Sequence, residues 1–242
     1  MKQLEYLIKS IERENFHVSK RELFPIDTFF EKTYISVKLL QSAQRQFNRL
    51  KKGHKKNTLI KEARKNFVIN CVTAIEVYFK DIVRISPELN NEILSNNSVG
   101  ELLEKKEKVN LWEAYQIFKE KKFRIGDILL YYYTFQNLED INIVMSKLLL
   151  IPSFITDVEK YVFILNKENQ LLFEKSQLCL SVDYPDWKLR ITEFFNLRHD
   201  YVHHINFNDK LGEEKLKSYF YLMQAFILIT DEYYFSKIDI KE

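Results

Sequence analysis

Three of the five histidines in this 242-residue chain fall within six positions, in the segment EFFNLRHDYVHH that runs from Glu193 to His204. Imidazole changes protonation near neutrality, and guanidinium keeps its charge while matching the geometry of phosphate oxygens, so the two together suit proton transfer beside an anion. On a helix through this segment Ile191, Phe194 and Phe195 define a buried stripe, whose next positions are Arg198 and Val202. An arginine therefore stands where an apolar residue is expected. It cannot shed its proton, so it requires a carboxylate, backbone carbonyls, a bound anion or a cleft that admits water. His203 follows five residues later, a step of about 140° and about 7.5 Å on an ideal helix. The two side chains flank one groove. They can address a single phosphate if a second surface closes it, for instance the same helix of a symmetry mate.

The neighbouring polar residues have their own readings. His199 directly follows the arginine, and Asp200 and His204, four apart, form a surface pair. His199 and His203 are also four apart, and HDYVH imitates the zinc motif HExxH with a shorter acid. Aspartate in place of glutamate sets the general base back by a methylene, and no third ligand follows within the motif. No metal is expected.

Helices must position these groups, because apolar residues recur at helical spacing almost throughout and alternation over a strand's length is hard to find. The pattern predicts an all-α helical bundle, with two long central helices and a C-terminal helix pair carrying Arg198 and His203. An N-terminal helical arm occupies residues 1–24, with its helix ending near Asn15, and the main domain spans 25–242. A long helix is predicted from Ile26 to about Leu50, broken at KKGHKKN by Gly53 and Asn57. A second runs from Thr58 to about Ile85, where Ser86 and Pro87 end it; its middle, NFVINCVTAIEVYFKDIV, is apolar on nearly all sides. Polar helices bearing Trp112, Tyr115 and Phe118 fill residues 88–123. Asn137, with Asp140 three residues on, predicts a capped helix from Leu138 to about Leu150, stopped by Pro152. Further helices are predicted over Phe154–Phe173, over Asp186–His204 with Pro185 in its first turn, and over Gly212–Phe235 capped by NFND. The last of these presents Leu216, Tyr219, Phe220, Met223, Phe226, Ile227 and Thr230 inward.

Composition excludes several functions. With four glycines, no two of them close together, the chain has no glycine-rich phosphate cradle of the Walker or dinucleotide kind. Cys71 and Cys179 are 108 positions apart without a CxxC, which fits a reducing, cytoplasmic setting with free thiols. Neither a signal peptide nor a membrane span is predicted.

Net charge is only +3, yet residues 38–65 hold ten Lys or Arg against the single acid Glu62. That stretch is either a solvated helix end and turn or a phosphate-attracting flank, and Lys51, Lys52, Lys55 and Lys56 are its densest part.

The segment from Arg198 to His203, Arg-His-Asp-Tyr-Val-His, set in an all-α chain behind a helix containing AIEVYF, resembles the HEPN superfamily over residues 26–236. That resemblance implies a metal-independent, cofactor-free endoribonuclease acting on RNA as a homodimer. Its roles make His203 the general base on a ribose 2′-OH and Arg198 the phosphate clamp, with His199 orienting the arginine. The products implied are a 2′,3′-cyclic phosphate and a 5′-OH end, and DNA, lacking the nucleophile, is not cut. By analogy with the family's acidic residue, Glu76 is a candidate partner for Arg198; a simple pair with Lys80, four residues on, is the alternative. The resemblance also implies a toxin or phage-defence role, with a neutralising antitoxin or defence protein as a partner. A non-catalytic helical dimerisation or interaction module is the competing function.

Overall fold

The computed structural model describes residues 25–49, 54–89, 130, 133–204 and 211–238. The predicted arm over 1–24, the helices bearing Trp112, Tyr115 and Phe118, and the NFND cap lie outside the described residues. What is described is an all-α bundle with one two-stranded sheet.

Two long helices, α1 (Pro25–Arg49) and α2 (His54–Leu89), lie side by side. Only four residues separate them, so they run antiparallel, and the ring contact of Phe29 with Tyr78 at 6.3 Å joins the start of one to the second half of the other. The inward face of α1 carries Phe29, Thr33 and Ser36. Thr33 and Ser36 satisfy their buried hydroxyls on Phe29 O and Lys32 O, both at 2.9 Å, so short polar side chains can face α2 without orphaned donors. Helix α2 opens at His54, ahead of the predicted Thr58, and continues past Ser86 and Pro87 to Leu89. A proline in the last turn forfeits one backbone hydrogen bond there, which is less than the cost of a mid-helix break.

Helix α3 (Leu138–Leu148) begins as predicted, with Asn137 Oδ1 accepting from Asp140 N at 2.7 Å. Its end comes before Pro152 acts. Leu150 turns into the left-handed region at φ 56°, and Ile151 N and Leu150 N bond back to Ser146 O and Lys147 O at 3.0 and 3.4 Å, a Schellman stop with leucine in the position glycine usually takes.

The single helix predicted over Phe154–Phe173 is corrected to α4 (Phe154–Lys160), β1 (Phe163–Ile164) and α5 (Lys167–Phe173). Strand β1 pairs antiparallel with β2 (Gln177–Leu178), matching Phe163 to Leu178 and Ile164 to Gln177. Exposure alternates from Tyr161 to Leu165, half-buried and exposed in turn before a buried Leu165, which is the two-residue period of a strand. Asn166 then caps α5.

After the short α6 (Leu180–Asp183), helix α7 (Trp187–His203) carries the histidine segment. Pro185 lies outside the helix, in a turn closed by Trp187 N on Tyr184 O at 2.9 Å, and the capping position falls to Asp186, whose side chain makes no cap bond. Helix α8 (Glu213–Lys237) presents the predicted inward stripe, and Leu222, Gln224, Ala225, Leu228 and Ile229 are buried beside it, so this helix is enclosed on most sides.

The core is aromatic. Phe79 stacks on Phe135 with centroids 6.1 Å apart, Trp187 stacks on Phe226 at 5.5 Å, and Phe79 meets Phe226 at 6.0 Å, tying α2, α7 and α8 to the segment before α3. Polar bonds fix the register of α8: Tyr78 Oη donates to Asp231 Oδ1 at 3.0 Å, and Tyr233 Oη donates to Asp157 Oδ2 at 2.7 Å. Ser86 gives its one hydroxyl proton to Ile82 O, so Tyr234 is the donor in the 2.6 Å contact between the two hydroxyls. Among the described residues no helix is long and apolar enough to cross a membrane. Cys71 and Cys179 are both buried free thiols.

Candidate functional site

Helix α7 is anchored by its first half and presents its last turn. Trp187, Ile191, Phe194 and Phe195 are buried, and Phe194 packs on Tyr219 of α8 at 5.1 Å. On the same side Tyr219 Oη donates to Glu193 Oε2 at 2.6 Å, and Arg190 Nη2 donates to Ser218 Oγ at 2.8 Å. The Tyr219 hydroxyl, aided by Lys215, holds the Glu193 carboxyl below the usual carboxylate range, while burial and that carboxylate push the Tyr219 phenol up. These bonds fix the roll of α7 about its axis and so decide which way its last two turns point.

The buried stripe continues to Tyr201, not to the predicted Val202, which is exposed. Both positions suit a period of 3.6 residues, and the side on which α2 and α8 meet the helix selects Tyr201. Arg198 is half-buried, with its Nε fully buried and bonded to nothing. Among the described residues it belongs to no ion pair.

The proposed partnership of Glu76 with Arg198 is corrected. Lys80 Nζ lies 2.9 Å from Glu76 Oε1, and Gln136 Nε2 donates to Glu76 Oε2 at 2.6 Å, so the pair with Lys80 is the one that forms and no ion pair joins Glu76 to Arg198. An i,i+4 ion pair is prearranged by the helix itself, whereas a bond to Arg198 has to be built across the fold.

All three histidines face water. His199 and His203 share one face, their ring centroids 4.5 Å apart and their planes inclined by 42°. His204, the C-cap residue, closes the helix through its N–H on Asp200 O at 2.9 Å and sets Nε2 3.7 Å from the Asp200 carboxylate, which is the predicted surface pair. The last turn of α7 thus carries exposed imidazoles above an arginine whose base is inside the fold.

Of the basic flank, Lys51 and Lys52 lie outside the described residues, and Lys55 and Lys56 fall in the first turn of α2, which contains no acid. Sequence reasoning missed a groove of about 390 Å³ between α1, α2 and α8, whose lining includes Arg45, Arg64, Phe67 and Phe220. Arg64 Nη1 donates to Leu211 O at 2.9 Å at its edge. No residue of α7 lines this groove. Its only sequence signal is the pair of arginines inside the basic stretch. No family model, curated protein or solved structure matches this chain.

Proposed function

We propose that the protein is a metal-independent endoribonuclease of HEPN type, working as a homodimer in which the last turns of two α7 helices face each other. The observation that carries this reading is Arg198. Its buried Nε has no partner, and the one acid offered to it, Glu76, is bound to Lys80 and Gln136. Among the described residues no carboxylate pairs with this half-buried guanidinium, so its charge is left for an oxyanion to meet, through atoms other than the buried Nε. His203 on the exposed turn is open to substrate.

In this reading Arg198 holds the scissile phosphate and His203 accepts the proton of the ribose 2′-OH. The 2′-oxygen then forms its bond to phosphorus as the bond to the 5′-oxygen breaks, and the proton passes to that leaving oxygen. His199, next to the arginine, has the role of orienting it. The lysines at positions 51, 52, 55 and 56 supply the electrostatic flank for the RNA backbone. A toxin or phage-defence role with a neutralising partner, in the cytoplasm, completes the reading.

The test is cleavage of a mixed-sequence RNA and of its DNA counterpart in EDTA. The reading expects RNA cut to 2′,3′-cyclic phosphate and 5′-OH ends, with DNA intact; cleavage lost to the chelator, or products with 5′-phosphates, contradicts it. A second reading, a non-catalytic association module, is favoured by one observation: Tyr34, Ile35 and Leu39 on α1 are 60%, 50% and 59% exposed.

A further inference from the structure

The rings of His199 and His203 are spaced as two ligands of one ion. An ion held through one nitrogen of each ring at about 2.0–2.1 Å, each nitrogen about 1.1 Å from its ring centre, puts the centres about 4.5 Å apart for a right angle at the metal and about 5.2 Å for a tetrahedral one. The rings of this helix stand 4.5 Å apart, both are exposed, and their planes are inclined by 42° instead of stacked flat on each other. They are a full turn apart on one face, so the helix itself holds the spacing.

We infer that His199 and His203 form a chelating pair for a divalent transition-metal ion of the imidazole-preferring kind, copper(II), nickel(II) or zinc(II), with copper(II) bound most tightly. Among the described residues the pair is the whole protein contribution. The His204 ring lies 6.4 Å from that of His199 and its Nε2 faces Asp200. Among the described residues no group of three or more His, Cys, Asp or Glu side chains is arranged to hold a metal. The remaining coordination positions belong to water or an oxyanion, so the ion exchanges readily. It is a different arrangement from a HExxH centre, because Asp200 is turned to His204. Coordination also occupies a nitrogen lone pair of His203, which makes the ion an inhibitor of cleavage. That consequence rests on the ribonuclease reading; the binding does not.

The experiment titrates the full chain with copper(II) alone, by calorimetry and electron paramagnetic resonance. One equivalent binding with the hyperfine signature of two nitrogen donors is expected. His199→Ala and His203→Ala should each weaken it by about tenfold or more, at least what loss of an outer-shell partner costs a metal site, while His204→Ala leaves it unchanged. All three side chains are exposed, so the variants retain the fold, and matched circular dichroism with His203→Asn as a second variant checks it. Binding unaltered in the His199→Ala/His203→Ala double variant, a one-nitrogen signature, or equal weakening by His204→Ala overturns the site. RNA cleavage measured without copper is a separate readout, so failure of the metal site and failure of the ribonuclease reading are distinguishable.

Discussion

Lys80 closes on Glu76 at 2.9 Å, one turn further along α2, and Gln136 donates to the other oxygen, so Glu76 is tied within α2 and to the segment before α3 and no ion pair joins it to Arg198. The arginine of α7 therefore keeps a buried Nε without a partner. Such an orphaned donor is a net cost, and an apolar side chain of similar length removes it. Arg198→Met is expected to raise stability in denaturant melts by about 1 kcal/mol while abolishing RNA cleavage. A variant that is destabilised by a similar amount contradicts this account of Arg198.

Asp231 makes stability depend on pH. Burial pushes its carboxyl up to about 6 despite the bond from Tyr78, with the charges of Glu232 and Asp27 adding to the rise. The folded chain thus binds this proton more tightly than the unfolded chain, whose carboxyl keeps the ordinary 3.8. Between about pH 4 and pH 6 the native state holds more protons, so this residue's contribution to stability falls as pH rises and levels off above that window. Asp231→Asn, which keeps an acceptor for Tyr78, should stabilise the protein at pH 7 by about 1–3 kcal/mol and flatten the acid limb of the stability curve. Melts at pH 4 and pH 7 check it; an equal effect at both removes the explanation.

Leucine in the left-handed stop of α3 is the cost of a chain with few glycines. Leu150 is exposed and sits at φ 56°, where glycine carries no Cβ penalty. Leu150→Gly should raise the melting free energy by about 1 kcal/mol, since relief of the backbone strain of about 1–2 kcal/mol exceeds the entropy lost. A lower melting temperature would show that Leu150 packs more than its exposure indicates.

These elements mark where the sequence was legible. The cap of α3 could be read because Asn137 and Asp140 are three residues apart, and a local bond needs no knowledge of the rest of the fold. The pairing of Phe163 with Leu178 could not, because Tyr161 to Leu165 are all apolar, so the alternation seen in their exposure is not written in their residue types, and the partner strand lies beyond α5. At the site, the inward place of Arg198 was visible in the helical period, whereas the turn to Tyr201 over Val202 depended on how α2 and α8 meet the helix. The partner of Glu76 is a matter of distance, which periodicity does not contain. The exposed trio His199, His203 and His204 was the plainest signal of all, since clustered imidazoles have no packing purpose on a wet face.

The basic flank predicts a salt effect. Replacing Lys51, Lys52, Lys55 and Lys56 together by Gln should weaken RNA binding and reduce the slope of log affinity against log salt by up to roughly 3 units. Filter binding at several salt concentrations measures both. Unchanged affinity with an unchanged slope would mean that these lysines only face solvent.

The most direct measurement compares RNA cleavage by the wild-type chain with that by His203→Ala, an exposed substitution that leaves the core untouched. The account predicts that the wild type cuts RNA and that the variant, equally folded and equally able to bind RNA, loses at least about a hundredfold in rate, as loss of a general base does. Equal cleavage by the two proteins, or none by either with the fold intact, contradicts it.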